Sequence, residues 1–298
     1  MALPVAPTLD TIVTEALKKC GAMEYYVRAK TEWADEIQRE LLNLKNWKAL
    51  EETSVLVPTK DLQTLSLPSD YANYIKLTLY TGNKESGNVG VGTAQAGAAG
   101  SITLSASETI TQDDAEGKLI FTLSGTGSAQ FSRITGYTVG TKIAVVNPNW
   151  IVNPANGTVY MVPMSERVLG YIPWEDAELH VPEGSPKMFT VYEGVLYLDV
   201  VPEVQFYACV LDYYMDLNLV DLTSSKRTAI YREWRDVLEA GITARAYLEK
   251  GDPRARDAFT LQVESVKRLV GSDLRKKQAR RTVKFRSVGG MPRGNRWG

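Results

Sequence analysis

The sequence predicts an α+β protein: a helical core with a small antiparallel sheet, an inserted all-β module built as a barrel or sandwich, and a flexible basic C-terminal tail. Three observations carry this. Helical periodicity marks both ends of the chain but not its middle. Composition shifts near Ser86 to Gly, Ala, Ser and Thr with few charges, and shifts back after Pro163. From Arg275 onward every charged residue is basic. The division is therefore a discontinuous core over 1–85 and 163–271, a β-module over 86–162 and a tail over 272–298. A length of 298 residues also exceeds what one compact core usually holds.

Taken in order, Thr8 is placed to cap a first helix with Leu9, Ile12, Val13, Ala16, Leu17 and Cys20 on one face, and Gly21 supplies its left-handed stop. A second helix runs to about Asn46, with Trp33, Ile37, Leu41 and Leu44 on its apolar face. Its other side, Glu32, Asp35, Glu36, Arg39 and Glu40, is a solvated face. Val55, Val57, the Leu65–Leu67 segment and the alternation Ile75, Leu77, Leu79 read as extended chain and a half-buried strand.

Between 86 and 162 no helical period survives. Short alternating runs recur at 102–104, 119–123, 131–134, 143–146 and 159–161, punctuated by turns at Asp113–Asp114, Gly125–Gly127, Asn147–Pro148 and Asn156–Gly157. Beyond Pro163, residues 190–192 and 195–199 flank a tight Glu193–Gly194 turn, and 205–214 form a third strand. A long helix follows from Ser224 or Ser225, with Ile230, Trp234, Val237, Leu238, Gly241 and Leu248 on one face, ending at Gly251. Asp252 and Pro253 then open a last helix carrying Phe259, Val263, Val266 and Val270. Past Gly271 the chain has too little apolar content to bury a core and is expected to stay unstructured until bound.

Composition excludes several classes. Hydrophobic and charged residues make up 44% and 23%, ordinary for a soluble protein, and no apolar run approaches a membrane-spanning length. The opening MALPVAPTLD has neither a basic patch nor an apolar stretch, so no secretory signal is expected. Cys20 and Cys209 read as small buried hydrophobes from a reducing compartment, and a single His180 without any CxxC anchors no usual zinc site. The net charge of −1 conceals an asymmetry: setting aside the nine bases from Arg275 onward leaves about −10 on the rest. An acidic body with a basic tail predicts a separate partner for the tail.

The order of elements is then specific. Two helices, Trp47, LSLPSDY (65–71), VYEGVLYLDVVPE (191–203), the pair Tyr213–Tyr214, two closing helices and a basic tail resemble the head-to-tail adaptor, or head-completion, proteins of short-tailed bacteriophages. Separately, GTAQAG, the Asp-Asp before Gly117, GTGSAQ, RITGY (133–137), TKIAVV (141–146) and Trp150 resemble a β-module of phage neck and tail proteins. An insert whose ends lie close together adds little closure entropy. The resemblance implies a non-catalytic virion subunit without cofactor or metal, assembled in the host cytoplasm. It forms a homo-oligomeric, twelvefold ring in the neck, binds the portal protein, and receives tail nozzle, fibre or spike proteins. DNA passes through its channel without sequence-specific binding, and no membrane is involved. Portal binding falls on Arg275, Lys276, Lys277, Arg280, Arg281, Lys284, Phe285, Arg286 and Trp297. A strand added through Thr282–Arg286 is one way to dock.

Sharper readings compete with this one. Gly90–Gly92 and Gly125–Gly127 lack the Gly-Lys-Ser/Thr of a phosphate loop and read as turns. Asp113, Asp114 and Glu116 offer too few oxygens for calcium and read as a polar hairpin turn. Glu175 and Asp176 beside Trp174 suggest a murein hydrolase, yet adjacent strand residues point to opposite faces. Tyr207, Tyr213 and Tyr214 lack the basic interleaving of a nucleic-acid sheet. The main rival is a DNA-binding virion or packaging protein that uses the basic tail.

Overall fold

The computed structural model describes residues 8–82, 90–177, 183–203, 207–216 and 225–286, with backbone alone over 225–229 and 277–286. Helices α1 (Leu9–Cys20), α2 (Tyr26–Arg28) and α3 (Ala34–Leu44) open the chain. Strands β1 (Glu51–Leu56), β2 (Thr64–Ser66) and β3 (Tyr71–Thr81) follow. Next come β4 (Val91–Thr93), β5 (Ala96–Ala98), β6 (Ser101–Thr103) and α4 (Gln112–Ala115). The run continues with β7 (Leu119–Ser124), β8 (Gln130–Thr138), β9 (Ile143–Asn147) and β10 (Val159–Met161). Then come β11 (Ser165–Val168), β12 (Gly170–Tyr171), β13 (Glu183–Gly184) and β14 (Met188–Tyr192). Strands β15 (Val195–Leu198), β16 (Val201–Pro202) and β17 (Tyr207–Met215) precede α5 (Ser225–Glu249) and α6 (Ala255–Arg286). The protein is α+β, and its larger sheets are mainly antiparallel.

Contacts divide the chain into a unit of Met1–Glu51 with Met215–Gly298 and a unit of Glu52–Tyr214. This differs from the division read from composition, which groups 52–85 and 163–214 with the helices.

In the first unit α1 begins and ends as its residues dictate. Thr8 Oγ1 accepts from the Thr11 N–H at 3.3 Å, and Gly21 takes φ 58° while Ala22 N–H reaches Leu17 O. Between α2 and α3 the chain makes a π turn, Ala29–Trp33, and Trp33, Ile37 and Leu41 are buried behind it. Leu44, expected on that face, is 57% exposed. The helix ends there, and Trp47 takes the inward place, donating Nε1–H to Leu41 O at 2.7 Å and meeting Trp234 edge-on at 5.8 Å. At Gly241 of α5 there is no room for a side chain: a Cβ there would lie 2.6 Å from Ile37 Cδ1 and 3.0 Å from Gln262 Nε2.

The buried face of α6 is only partly the apolar one: Phe259, Val266 and Val270 are half-buried. Ala255, Ala258, Gln262, Ser265 and Asp273 point inward, whereas Val263 is 53% exposed. Helix α6 runs through Gly271 to Arg286, so the backbone of 272–286, expected to stay unstructured until bound, is helical. Ala, Gln, Lys and Arg are strong helix formers, and Gly271 is not among the positive-φ glycines that end helices.

Among its described residues the second unit holds four sheets, of order β1-β17-β3-β11, β4-β10-β7-β8-β9-β6-β5, β12-β14-β15-β2 and β13-β16. All five strand runs read from the sequence between 102 and 161 are present. The seven-stranded order starts at β4 and ends at β5, and only Ala94 and Gln95 separate these strands. Ala94 N–H bonds Thr158 O at 2.7 Å and Gln95 N–H bonds Thr103 O at 2.9 Å, so one segment serves both ends of the order. One face encloses Ile102, Leu104, Ile120, Ile134, Val146 and Tyr160. The other packs Val91, Phe121, Leu123 and Met161 against Val55, Ala208 and Val210 of β1 and β17. An excised 86–162 segment would therefore expose a second apolar surface. The β14–β15 hairpin turns through Glu193 (φ 48°) and Gly194 (φ 78°), both left-handed as a tight hairpin requires.

Burial pushes the Cys209 thiol from near 9 up to about 12, and burial together with Glu166 pushes Tyr80 from near 10 up to about 12. Both groups keep their protons longer folded than unfolded. Their contribution to stability is thus fully present below pH about 9 and is lost as pH rises toward about 12. The urea midpoint is expected to fall across that window. Cys209→Ala should flatten the fall, and an unchanged slope would show that the thiol does not drive it.

Candidate docking site

The basic segment grows out of a clamp. Asp273 is 3% exposed near the outer part of α6; its Oδ2 takes Lys45 Nζ at 2.5 Å and its Oδ1 takes the Lys48 N–H at 2.8 Å. Lys48 lies in the 3-10 turn Lys48–Leu50, and its Nζ reaches Lys276 O at 3.2 Å. Lys276 Nζ in turn meets Glu233 of α5 at 2.6 Å. A buried carboxylate, two lysines and a pair to α5 thus tie α6 down across residues 273–276.

The sequence-assigned docking residues distribute unevenly. Arg275 and Lys276 are exposed, and Lys276 is engaged with Glu233. Lys277, Arg280, Arg281, Lys284, Phe285 and Arg286 lie on the helical backbone of α6, and Trp297 lies outside the described residues. The clamp was missed in the sequence because Asp273 stands among charged residues that read as a solvated run. The one available signal was that it is the last acid before an acid-free stretch.

The competing sites do not assemble. Gly125 and Gly127 take φ 85° and 72° in the β7–β8 connection, as turn glycines do. Asp113 and Asp114 form a helical turn rather than the expected hairpin turn, since Thr111 Oγ1 caps Asp114 N–H at 3.2 Å. Glu116 is occupied by the Tyr137 N–H at 3.0 Å. Glu175 and Asp176 sit exposed on the 3-10 turn Trp174–Asp176, not on a strand, while Trp174 stacks on Tyr192 at 4.3 Å. His180 lies outside the described residues. Tyr207 and Tyr213 are buried, and the Tyr213 hydroxyl donates to Asp70 Oδ1 at 2.8 Å. Burial and that bond push the Tyr213 hydroxyl's pKa upward.

Two further polar centres in the β-rich unit escaped the sequence. Glu108, 1% exposed, accepts from the N–H groups of Gly90, Thr109 and Ile110 and from the Tyr160 hydroxyl at 2.6 Å. Gln130 bonds a neighbouring loop. Among the described residues no group of three or more His, Cys, Asp or Glu is placed to hold a metal. No helix among them is long and apolar enough to cross a membrane. Compared with known proteins, the chain matches no family model and no curated protein.

Proposed function

We propose that this chain is a structural subunit of the phage neck: a head-to-tail adaptor that forms a ring beneath the portal protein and offers the tail its attachment platform. One observation carries the reading. A compact helical unit clamps α6 at Asp273, and the helix continues beyond it with charged residues that are all basic. Such an element suits an acidic protein surface, and Phe285 and Trp297 among the bases add apolar anchors. The remaining chain, at about −10, suits a channel through which duplex DNA slides without sticking. A twelvefold ring in the virion neck, with nozzle, fibre or spike proteins on its far side, belongs to this proposal.

The negative body repels its own copies. Sedimentation of the free protein in dilute solution should show one chain mass, shifting to a ring when isolated portal rings are added. Stable free dodecamers would overturn template-driven assembly. A DNA-binding or packaging role is the second reading, favoured by the same bases. It requires duplex binding that weakens steeply with salt, by a slope near 0.9 per phosphate contacted. Portal capture without such duplex binding decides for the adaptor.

A further inference from the structure

The outer face of the sheet β12-β14-β15-β2 combines aromatic rings with one buried hydroxyl. Phe189 pairs with Leu198 and both are buried, so Thr190, its partner Tyr197 and Tyr192 point to the opposite side. Thr64 and Ser66 of β2 share that side and are exposed, so it meets water. Thr190 is nevertheless only 2% exposed. Trp174 accounts for this: its indole stacks on Tyr192 at 4.3 Å and lies 5.2 Å from Tyr197. Those two rings flank Thr190, one along its own strand and one across to the next, so the indole lies over Thr190.

The covered hydroxyl is unpaired. Thr190 Oγ1 is buried with no hydrogen-bond partner among the described residues. A buried polar group without a partner lowers stability, and one kept in a folded chain calls for a partner from outside it. Trp174 rides on the single 3-10 turn Trp174–Asp176, where Glu175 and Asp176 are exposed. The charged neighbours of Trp174 and Tyr192 along the chain, Glu175, Asp176 and Glu193, are all acids.

We infer that this face binds a neutral saccharide: the indole of Trp174 swings off Thr190 to stack on a pyranose ring, and a sugar hydroxyl bonds Thr190 Oγ1. The chemistry selects that class. A pyranose offers a face of polarised C–H groups to the negative faces of Trp174 and Tyr192, and a rim of hydroxyls to Thr190 and the carboxylates of Glu175 and Asp176. Nucleic acid is disfavoured, because acids beside the rings repel phosphate. A quaternary ammonium suits rings and acids but has nothing to bond Thr190. Binding without cleavage is meant, since the two acids neighbour each other on one turn and do not flank a glycosidic bond. The inference stands apart from the adaptor reading.

The test is calorimetric titration of the full chain with cellotetraose, chitotetraose and, as a contrasting probe, tetramethylammonium. At least one tetrasaccharide should bind one to one, and tetramethylammonium should not. Trp174→Ala should abolish that binding, whereas Trp174→Tyr should keep much of it. Thr190→Val separates site from scaffold, because it removes the hydroxyl while nearly keeping the shape. It should hold or raise the urea midpoint of the free chain and still weaken saccharide binding about tenfold. Binding of neither tetrasaccharide overturns the inference, and so does undiminished binding by Thr190→Val. Tetramethylammonium binding as tightly as the sugars would overturn the ligand class. A lowered midpoint in Thr190→Val would show that the hydroxyl already has a partner, and the site would lose its basis.

Discussion

Truncating the chain after Leu274 is expected to abolish capture by portal rings while leaving the fold standing. The deletion removes nine cations, Phe285 and Trp297, and it spares the two bonds of Asp273 to Lys45 and Lys48 while losing the clamp's contacts at Lys276. Losing hot-spot arginines and aromatics together should weaken binding by about 4 kcal/mol, about a thousandfold in Kd. From sequence alone no change in thermal unfolding is expected. The structure adds a small cost, because the Lys276–Glu233 pair goes too, its side chains 42% and 35% exposed. A surface pair of that kind contributes about 1 kcal/mol at most. The measurement is portal pull-down beside a urea titration of both chains. Neutralising Arg280, Arg281, Lys284 and Arg286 to Gln while keeping Phe285 separates charge from packing. Undiminished capture after truncation would remove the docking role and leave the DNA reading or a functionless segment.

Asp273→Ala is expected to destabilise the helical unit strongly. It strips the partner from Lys45, whose side chain is only 20% exposed, and leaves the Lys48 N–H without its acceptor. Breaking a buried pair from one side costs about 3 kcal/mol or more, since the surviving charge stays desolvated. Replacing both partners, Asp273→Leu with Lys45→Met, should recover much of that loss, because no unpaired charge remains. Denaturant midpoints of the single and double variants check this. A single variant within about 0.5 kcal/mol of wild type would mean that water already solvates Lys45, and the clamp would lose its meaning.

The ordering of elements was legible in the residues because local chemistry dictates it. Thr8 and Gly21 bound α1 through capping and a left-handed φ, which any helix of that length needs. Glu193–Gly194 turns a hairpin for the same kind of reason. The runs at 102–104 and 143–146 are strands because alternation leaves them no other way to bury one face, and 119–123 is a strand buried on both. The candidate docking segment was legible as a run of bases; its helix was signalled only by the propensity of Ala, Gln, Lys and Arg, against the low apolar content that reads as an unpacked tail.

What the sequence by itself determined is the α+β class, the element types and most turns, all set by interactions within a few residues. Tertiary structure alone decided which face of α6 is buried. The inward residues there are Ala255, Ala258, Gln262, Ser265 and Asp273, with Gln262 set against Gly241 of α5, a contact that no apolar periodicity marks. It alone grouped 52–85 and 163–214 with the seven-stranded sheet, because Phe121 and Met161 find Val55 and Val210 only after long loops close. Asp273 with Lys45, and Gln130 with the 151–152 loop, are likewise pairings across the fold. Their partners stand 228 and 21 residues apart, and no periodicity or spacing rule encodes a contact between residues so distant in the chain.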